Sequence, residues 1–174
     1  MKFELFKAYD SIDWSYIRLL LLKIGLSIPI IRWIMSCITS VRYAVLVNGM
    51  PTNFFMVGRG LRQGCALSPM IFILIIDGFS RIMHMVEQNG YINGFAFSPT
   101  AKTTHSLFVD DMLPFGSLIR NHWFYIHFML IKFGSATGLC INNHKSILIY
   151  EYGSMEDIFF IAKFLGVYHQ RLME

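Results

Sequence analysis

His105-Ser106-Leu107-Phe108-Val109-Asp110-Asp111-Met112-Leu113-Pro114-Phe115 sets two adjacent carboxylates inside an otherwise largely apolar run. It reads as a hairpin, with His105 to Val109 as one strand, the Asp pair at the tip and Met112 to Phe115 returning. Along a strand, neighbours point to opposite faces, whereas at a tight tip both can reach one side. Two carboxylates that close repel, which raises one pKa unless a cation sits between them. A hard divalent ion such as Mg²⁺ takes carboxylate oxygens. A solvated turn explains the pair as well, because Asp is a preferred turn residue.

Outward from this hairpin, strands and helices mix without regular βαβ alternation. Residues 2–9 (KFELFKAY) read as a strand, and Asp10 to Asp13 offer helix caps. Ile17, Leu20, Leu21 and Ile24 mark an amphipathic helix stopping at Gly25. Ser27 and Pro29 open a second helix to about Thr39. RYAVLV (42–47), Asn48-Gly49 and 54–57 read as two strands about a hairpin turn. Ser68 and Pro69 read as the cap and first turn of a long apolar helix reaching about Gln88. Further strands are expected at 93–97, 140–142, 147–150 and 163–167, and a helix at 123–133. The pattern is α+β, an antiparallel sheet with helices on one face.

The chain has 174 residues, about one domain. Apolar residues make up 55% and charged residues 15%, enough core material to exclude intrinsic disorder. Lys23, Gly25, Pro29 and Arg32 interrupt the apolar stretch 19–35, so no segment is expected to supply the roughly 20 apolar residues of a membrane span. The start, Met1-Lys2-Phe3-Glu4, lacks a signal-peptide layout. The apolar excess suits surfaces covered by neighbours in a larger protein. A net charge of +4 mildly favours an anionic partner such as nucleic acid. Cys37, Cys65 and Cys140 lie far apart with no CxxC spacing, which gives neither a zinc site nor a disulfide framework and suits a reducing compartment. His122 and His127 read as ordinary helix surface.

Two further segments carry chemistry. Arg59-Gly60-Leu61-Arg62-Gln63-Gly64-Cys65-Ala66-Leu67-Ser68-Pro69 places two arginines and two glycines before a helix start. Glycines admit a ligand to the backbone, and a helix N-terminus with Arg side chains favours phosphate. A plain loop with a helix cap fits equally. In Lys2-Phe3-Glu4-Leu5-Phe6-Lys7-Ala8-Tyr9-Asp10, Glu4 shares a strand face with Lys2 and Phe6. Near the Asp pair it would complete a metal site; otherwise it is edge-strand surface charge.

Taken in order, KAYD (7–10), RGLRQGCALSP (59–69), FVDD (108–111), GLCINNHKS (138–146) and FLGV (164–167) resemble the palm of a reverse transcriptase. The likeness is greatest to non-LTR (LINE-type) retrotransposons of the plant sort and runs from residue 2 to about 168. It implies a polymerase palm fragment over residues 1–174, with the N-terminal fingers part and the thumb lying outside it in a longer polyprotein. The implied activity is RNA-directed DNA polymerisation. Glu4, Asp110 and Asp111 would be catalytic and would hold two Mg²⁺ ions, with Mn²⁺ as a substitute, about 3.5–4 Å apart. Leu5, Tyr9, Gln63, Gly64 and Lys145 would contact the nucleotide. Among these, Tyr9 would sit under the sugar, Gln63 and Gly64 would line the incoming nucleotide and template, and Lys145 would stand near the leaving group. FLGV would belong to the strand that grips the primer terminus. The implied partners are an RNA template, a DNA primer and deoxynucleoside triphosphates, with no membrane; the implied location is intracellular, nuclear or cytoplasmic.

Several positions depart from the family pattern, among them Phe6, where the family usually has a polar residue, and the stretch 123–132, which is compressed. Glu4 stands where the family has Asp, and the extra methylene displaces the carboxylate by more than about 1 Å, a misplacement that can cost about 10²-fold in rate. Val109 replaces a common Ala at a position expected only to pack, and Pro114 removes a ladder donor from the hairpin's second strand. Little or no polymerase activity is expected of this chain alone. A non-catalytic nucleic-acid-binding or protein-binding remnant is the alternative. A metal-dependent phosphohydrolase built on the Asp pair would leave Gln63 and Gly64 without a role.

Overall fold

The computed structural model describes residues 1–98 and 101–172. Strand β1 (Phe3–Phe6) leads into the short helix α1 (Ala8–Ser11), then α2 (Trp14–Lys23) and α3 (Ile28–Thr39). Two small ribbons follow: β2 (Arg42–Tyr43) pairs with β5 (Phe55–Met56), and β3 (Leu46–Val47) pairs with β4 (Met50–Pro51) around Asn48-Gly49. The long helix α4 (Leu67–Gln88) precedes β6 (Phe95–Ser98) and β7 (Ala101–Thr103), then the hairpin β8 (His105–Phe108) and β9 (Asp111–Pro114). Helix α5 (Arg120–Thr137), β10 (Cys140–Ile141), β11 (Ile147–Tyr150), α6 (Met155–Leu165) and β12 (Tyr168–Arg171) complete the order.

The fold is mixed α+β. Its main sheet is antiparallel, in the order β10-β1-β9-β8. Alternation decides which side is covered. Phe3, Leu5 and Met112 project to one side and are buried against the helices, while Glu4, Phe6, Asp111 and Phe108 project to the other. α4 crosses the covered side: Phe72, Ile75, Ile76, Phe79, Met83 and Val86 recur at helical spacing and are all buried. Trp123, Ile126, Leu130 and Phe133 of α5 and Ile17 and Leu21 of α2 pack into the same core. By length and composition α4 is long and apolar enough to cross a membrane, contrary to the sequence reading. In this structure one face of it packs into the core, while Met70, Ile73 and Met85 stay exposed.

The caps are largely those expected. The Asp13 carboxylate accepts from the Ser15 N–H at 2.6 Å, Ser27 precedes α3 with its proline in the first turn, and Gly25 takes φ 87° just past α2. Other expectations fail. α4 begins at Leu67 after Ala66, so Ser68 lies inside the helix and makes no cap. β1 stops at Phe6, because Lys7 turns into the left-handed region (φ 44°) and starts α1. β7 was not anticipated, and α5 runs longer than expected at both ends. The strand expected at 163–167 is instead the end of α6: Ile158, Ile161, Ala162 and Leu165 are buried at helical spacing, and Gly166 closes the helix at φ 66°. The strand proper begins at Tyr168 and pairs with β11 in parallel, so the β-structure is not wholly antiparallel.

Candidate active site

β1 lies between β10 and β9, and its register places Glu4 directly opposite Asp111. Directly paired residues share a face, so side chains from distant parts of the chain emerge side by side on the open side of the sheet. Phe108, paired with Asp111, continues this row. Asp110 occupies the two-residue tip with Val109. The Leu5 N–H donates to the Asp110 carbonyl at 3.0 Å, which ties the tip to β1. Val109 takes φ 53° and is 56% exposed. It does not simply pack, as expected; it is a β-branched residue in the left-handed region, where tight hairpins favour Asn or Gly.

Each paired carboxylate already has a cation. Lys145 Nζ lies 2.9 Å from Glu4 Oε1, and Lys2 Nζ lies 2.9 Å from Asp111 Oδ2. The hydrogen bond to Glu4 raises the pKa of Lys145, and the bond to Asp111 raises that of Lys2. The carboxylates are mostly sheltered: the Glu4 side chain is 19% exposed and that of Asp111 27%. A 3-10 turn at Asn143–Lys145 brings Lys145 back over β1. The adjoining Ser146 hydroxyl fixes it, accepting from the Glu4 N–H at 3.1 Å and donating to the Asn142 carbonyl at 2.8 Å.

Among the described residues no three His, Cys, Asp or Glu side chains converge on a point that would hold a metal ion. The donor chemistry nevertheless suits magnesium, which is commonly held by one or two carboxylates together with substrate phosphates. Glu4 and Asp111 supply two such carboxylates, and the two ammonium groups mark where positive charge is stabilised.

A second cluster forms around the RQG loop. Tyr9, Arg62, Gln63, Gly64, Ser68 and Pro69 line a depression of about 350 Å³. The loop is fastened to α1 by short bonds: the Leu61 N–H donates to the Tyr9 carbonyl at 2.6 Å and the Gly60 N–H to the Ile12 carbonyl at 2.7 Å. The Trp14 indole N–H donates to the Gly60 carbonyl at 2.7 Å. Only glycine fits at 60, since φ is 93° and a Cβ would lie 2.8 Å from the Asp10 carbonyl oxygen. The Tyr9 ring stacks on Phe72, with centroids 4.8 Å apart and planes at 15°. At the start of α4 the Cys65 thiol takes the backbone N–H of Leu67, which lowers its pKa.

The expected site residues thus divide. Glu4, Asp111 and Lys145 meet on the open sheet face, with Asp110 at the adjoining tip. Tyr9, Gln63 and Gly64 meet in the depression. The Leu5 side chain joins neither, being buried in the core with its N–H spent on Asp110. Phe164 and Leu165 end α6 and lie in no strand. Lys2 was not singled out as a site residue, although its place two residues before Glu4 was the available signal. A larger cavity of about 580 Å³, bounded by residues including Leu5, Leu130, Phe133 and Cys140, has no carboxylate in its lining.

Comparison with known proteins agrees with the resemblance. The sequence profile of the family described as reverse transcriptase (RNA-dependent DNA polymerase) matches residues 1–168. The chain is similar to the retrovirus-related Pol polyprotein from type-1 retrotransposable element R2 of Popillia japonica, with 28% identity over 107 residues, 62% of this chain and 17% of that protein. It is also similar to an uncharacterized mitochondrial protein of Arabidopsis thaliana, with 36% identity over 67 residues, 38% of this chain and 55% of that protein. The chain therefore spans a minor part of the first relative and about half of the second. With a family match over nearly its whole length, the chain belongs to the reverse transcriptase family.

Proposed function

We propose that the chain is the palm segment of a LINE-type RNA-directed DNA polymerase and that its open sheet face is the nucleotidyl-transfer site. The observation that carries this reading is the register pairing of Glu4 with Asp111 beside the Asp110 tip. Glu4, Asp110 and Asp111 would hold Mg²⁺, or Mn²⁺ in its place. Such ions, when bound, lower the pKa of an attacking hydroxyl and neutralise charge on phosphates. The chain's own residues supply the rest. Tyr9, held flat by Phe72, offers a rigid surface to the sugar of an incoming deoxynucleoside triphosphate. Arg62 brings positive charge to the depression, while Gln63 and Gly64 present hydrogen-bonding groups and open backbone to nucleotide and template. Lys145, held beside Glu4, would pass a proton to a departing phosphate. An RNA template and a DNA primer are the partners that this chemistry requires, within a longer polyprotein.

Glu4 in place of Asp, together with the lysine pairing of the carboxylates, supports a site that is barely active in the isolated chain. Primer extension on an RNA template with Mg²⁺ or Mn²⁺ tests both halves of the proposal. The unaltered chain is expected to stay within a few-fold of Asp110→Ala, while Glu4→Asp raises extension by up to about 10²-fold. Robust Asp110-dependent extension by the unaltered chain would refute the proposed inactivity. Absence of any gain in Glu4→Asp would remove the catalytic role of Glu4. Salt-dependent RNA binding that survives Asp110→Ala, without extension by any variant, would favour the non-catalytic binding remnant.

A further inference from the structure

Each carboxylate of the Glu4–Asp111 pair carries a lysine from a different part of the chain. Lys2 comes from the start of the chain, diagonal to Asp111 on the neighbouring strand, and Lys145 comes from the turn after β10. Two separate backbone devices hold them there. Lys2 N–H and C=O bond reciprocally to Ile147, each at 2.8 Å, which pins the approach of β1. Lys145 N–H donates to the Asn142 carbonyl at 3.1 Å. The ammonium groups are therefore delivered by structured backbone and do not depend on loose surface loops.

The geometry points to Lys2 and Lys145 as built-in competitors of the divalent cation, each occupying the carboxylate that an ion would take. The inference rests on the reading of Glu4 and Asp111 as cation ligands. An arriving ion must displace both ammonium groups or sit beside them against their charge, so cation binding is weakened while the charges of Glu4 and Asp111 in the empty site are balanced. Without the lysines, two facing carboxylates would repel across the strand pair, as like charges directly opposite do. Lys2 is thus a positioning residue for the empty site. A cation bound by the carboxylates would free both ammonium groups, which could then meet the charge of a nucleotide's phosphates.

Mn²⁺ is the probe, followed by isothermal titration and by the rise in melting temperature that it causes in the full chain. Lys2→Met with Lys145→Met is expected to bind Mn²⁺ about five- to tenfold more tightly than the unaltered chain, as expected from replacing two partly exposed ion pairs. The variant should melt lower without Mn²⁺ and gain more from it, because a ligand that binds only the native state stabilises in proportion to its affinity. Lys2→Arg with Lys145→Arg keeps the charges and should bind as the unaltered chain does. Glu4→Gln with Asp111→Asn separates the two ideas. If these changes abolish Mn²⁺ binding but the lysine variants bind no more tightly than the unaltered chain, the competition is refuted and the site reading stands. If no protein binds Mn²⁺, or the carboxylate changes leave binding intact, both fall.

Discussion

The two faces of the β10-β1-β9-β8 sheet come from the same few residues yet obey different rules. On the covered face, Phe3, Leu5, Leu107 and Met112 meet the helices, and Phe3 is 1% exposed. On the other, Lys2, Glu4, Asp111 and Phe108 meet solvent and each other, and Phe108 is 72% exposed. One residue of register separates them, so a single-residue slip would exchange core for chemistry throughout the sheet. The covered face specifies the register by burial, and the open face inherits its geometry at little cost in stability. Ionic pairing holds the open face and packing holds the covered one.

Substitutions that treat the faces alike should therefore have unequal effects. Phe3→Ala removes a fully buried ring and is expected to cost about 3–5 kcal/mol, a large share of the stability of a domain this size. Phe108→Ser, on the strand beyond, should stay within about 0.5 kcal/mol. Urea unfolding followed by circular dichroism measures both. Comparable losses would mean that Phe108 is covered in solution and that the open face is not open.

The hairpin tip joins the two faces, and its strain gives the next effect in size. Val109 sits at φ 53° with its side chain 56% exposed. The left-handed region costs a residue with a Cβ about 1–2 kcal/mol, and Asn tolerates it best. Val109→Asn should raise stability by about 1 kcal/mol in the same urea experiment, without disturbing the Glu4–Asp111 register. A loss of stability would show that the valine contributes contacts that outweigh its backbone strain.

Much of this was legible in the sequence where local rules decide. Gly25, Ser27 with Pro29, and Asn48-Gly49 announced a helix end, a helix start and a hairpin through backbone requirements that operate over a few residues. The hairpin at 105–115 was legible for the same reason, but its tip falls one residue early, at Val109-Asp110, and Asp111 opens the returning strand. The meeting of Glu4 with Asp111 was not, because it depends on which strands pair, and spacing carries no such information; only the family resemblance brought them together. The misread strand at 163–167 shows the limit of short apolar runs, whose period is ambiguous until flanking turns extend them. Ile158 and Ile161 upstream held the helical period that decided it. Leu5 adjoins a catalytic candidate, yet strand alternation turns its side chain into the core, which a motif read linearly does not reveal.

His105 is the polar exception on the covered face and gives the smallest effect. It shares that side of β8 with Leu107, and its ring approaches Phe79 edge-on at 6.2 Å. The Ser80 hydroxyl lies 2.8 Å from Nε2 and the Thr104 hydroxyl 2.8 Å from Nδ1. Burial lowers its pKa below the ordinary 6.5, so in the folded chain the ring resists protonation. The unfolded chain then binds the proton first as pH falls. The stabilising contribution is complete above about pH 6.5 and is lost as pH drops toward the lower folded value. Between pH 7.5 and pH 5 the part owed to His105 should therefore only decrease. Other groups titrate in this range, so the measurable quantity is the difference between the unaltered chain and His105→Gln, which keeps a polar side chain facing Ser80. Urea midpoints should converge at low pH and separate at neutral pH. Parallel midpoints across the range would place the imidazole in water and make this corner of the covered face as open as the side that carries Glu4.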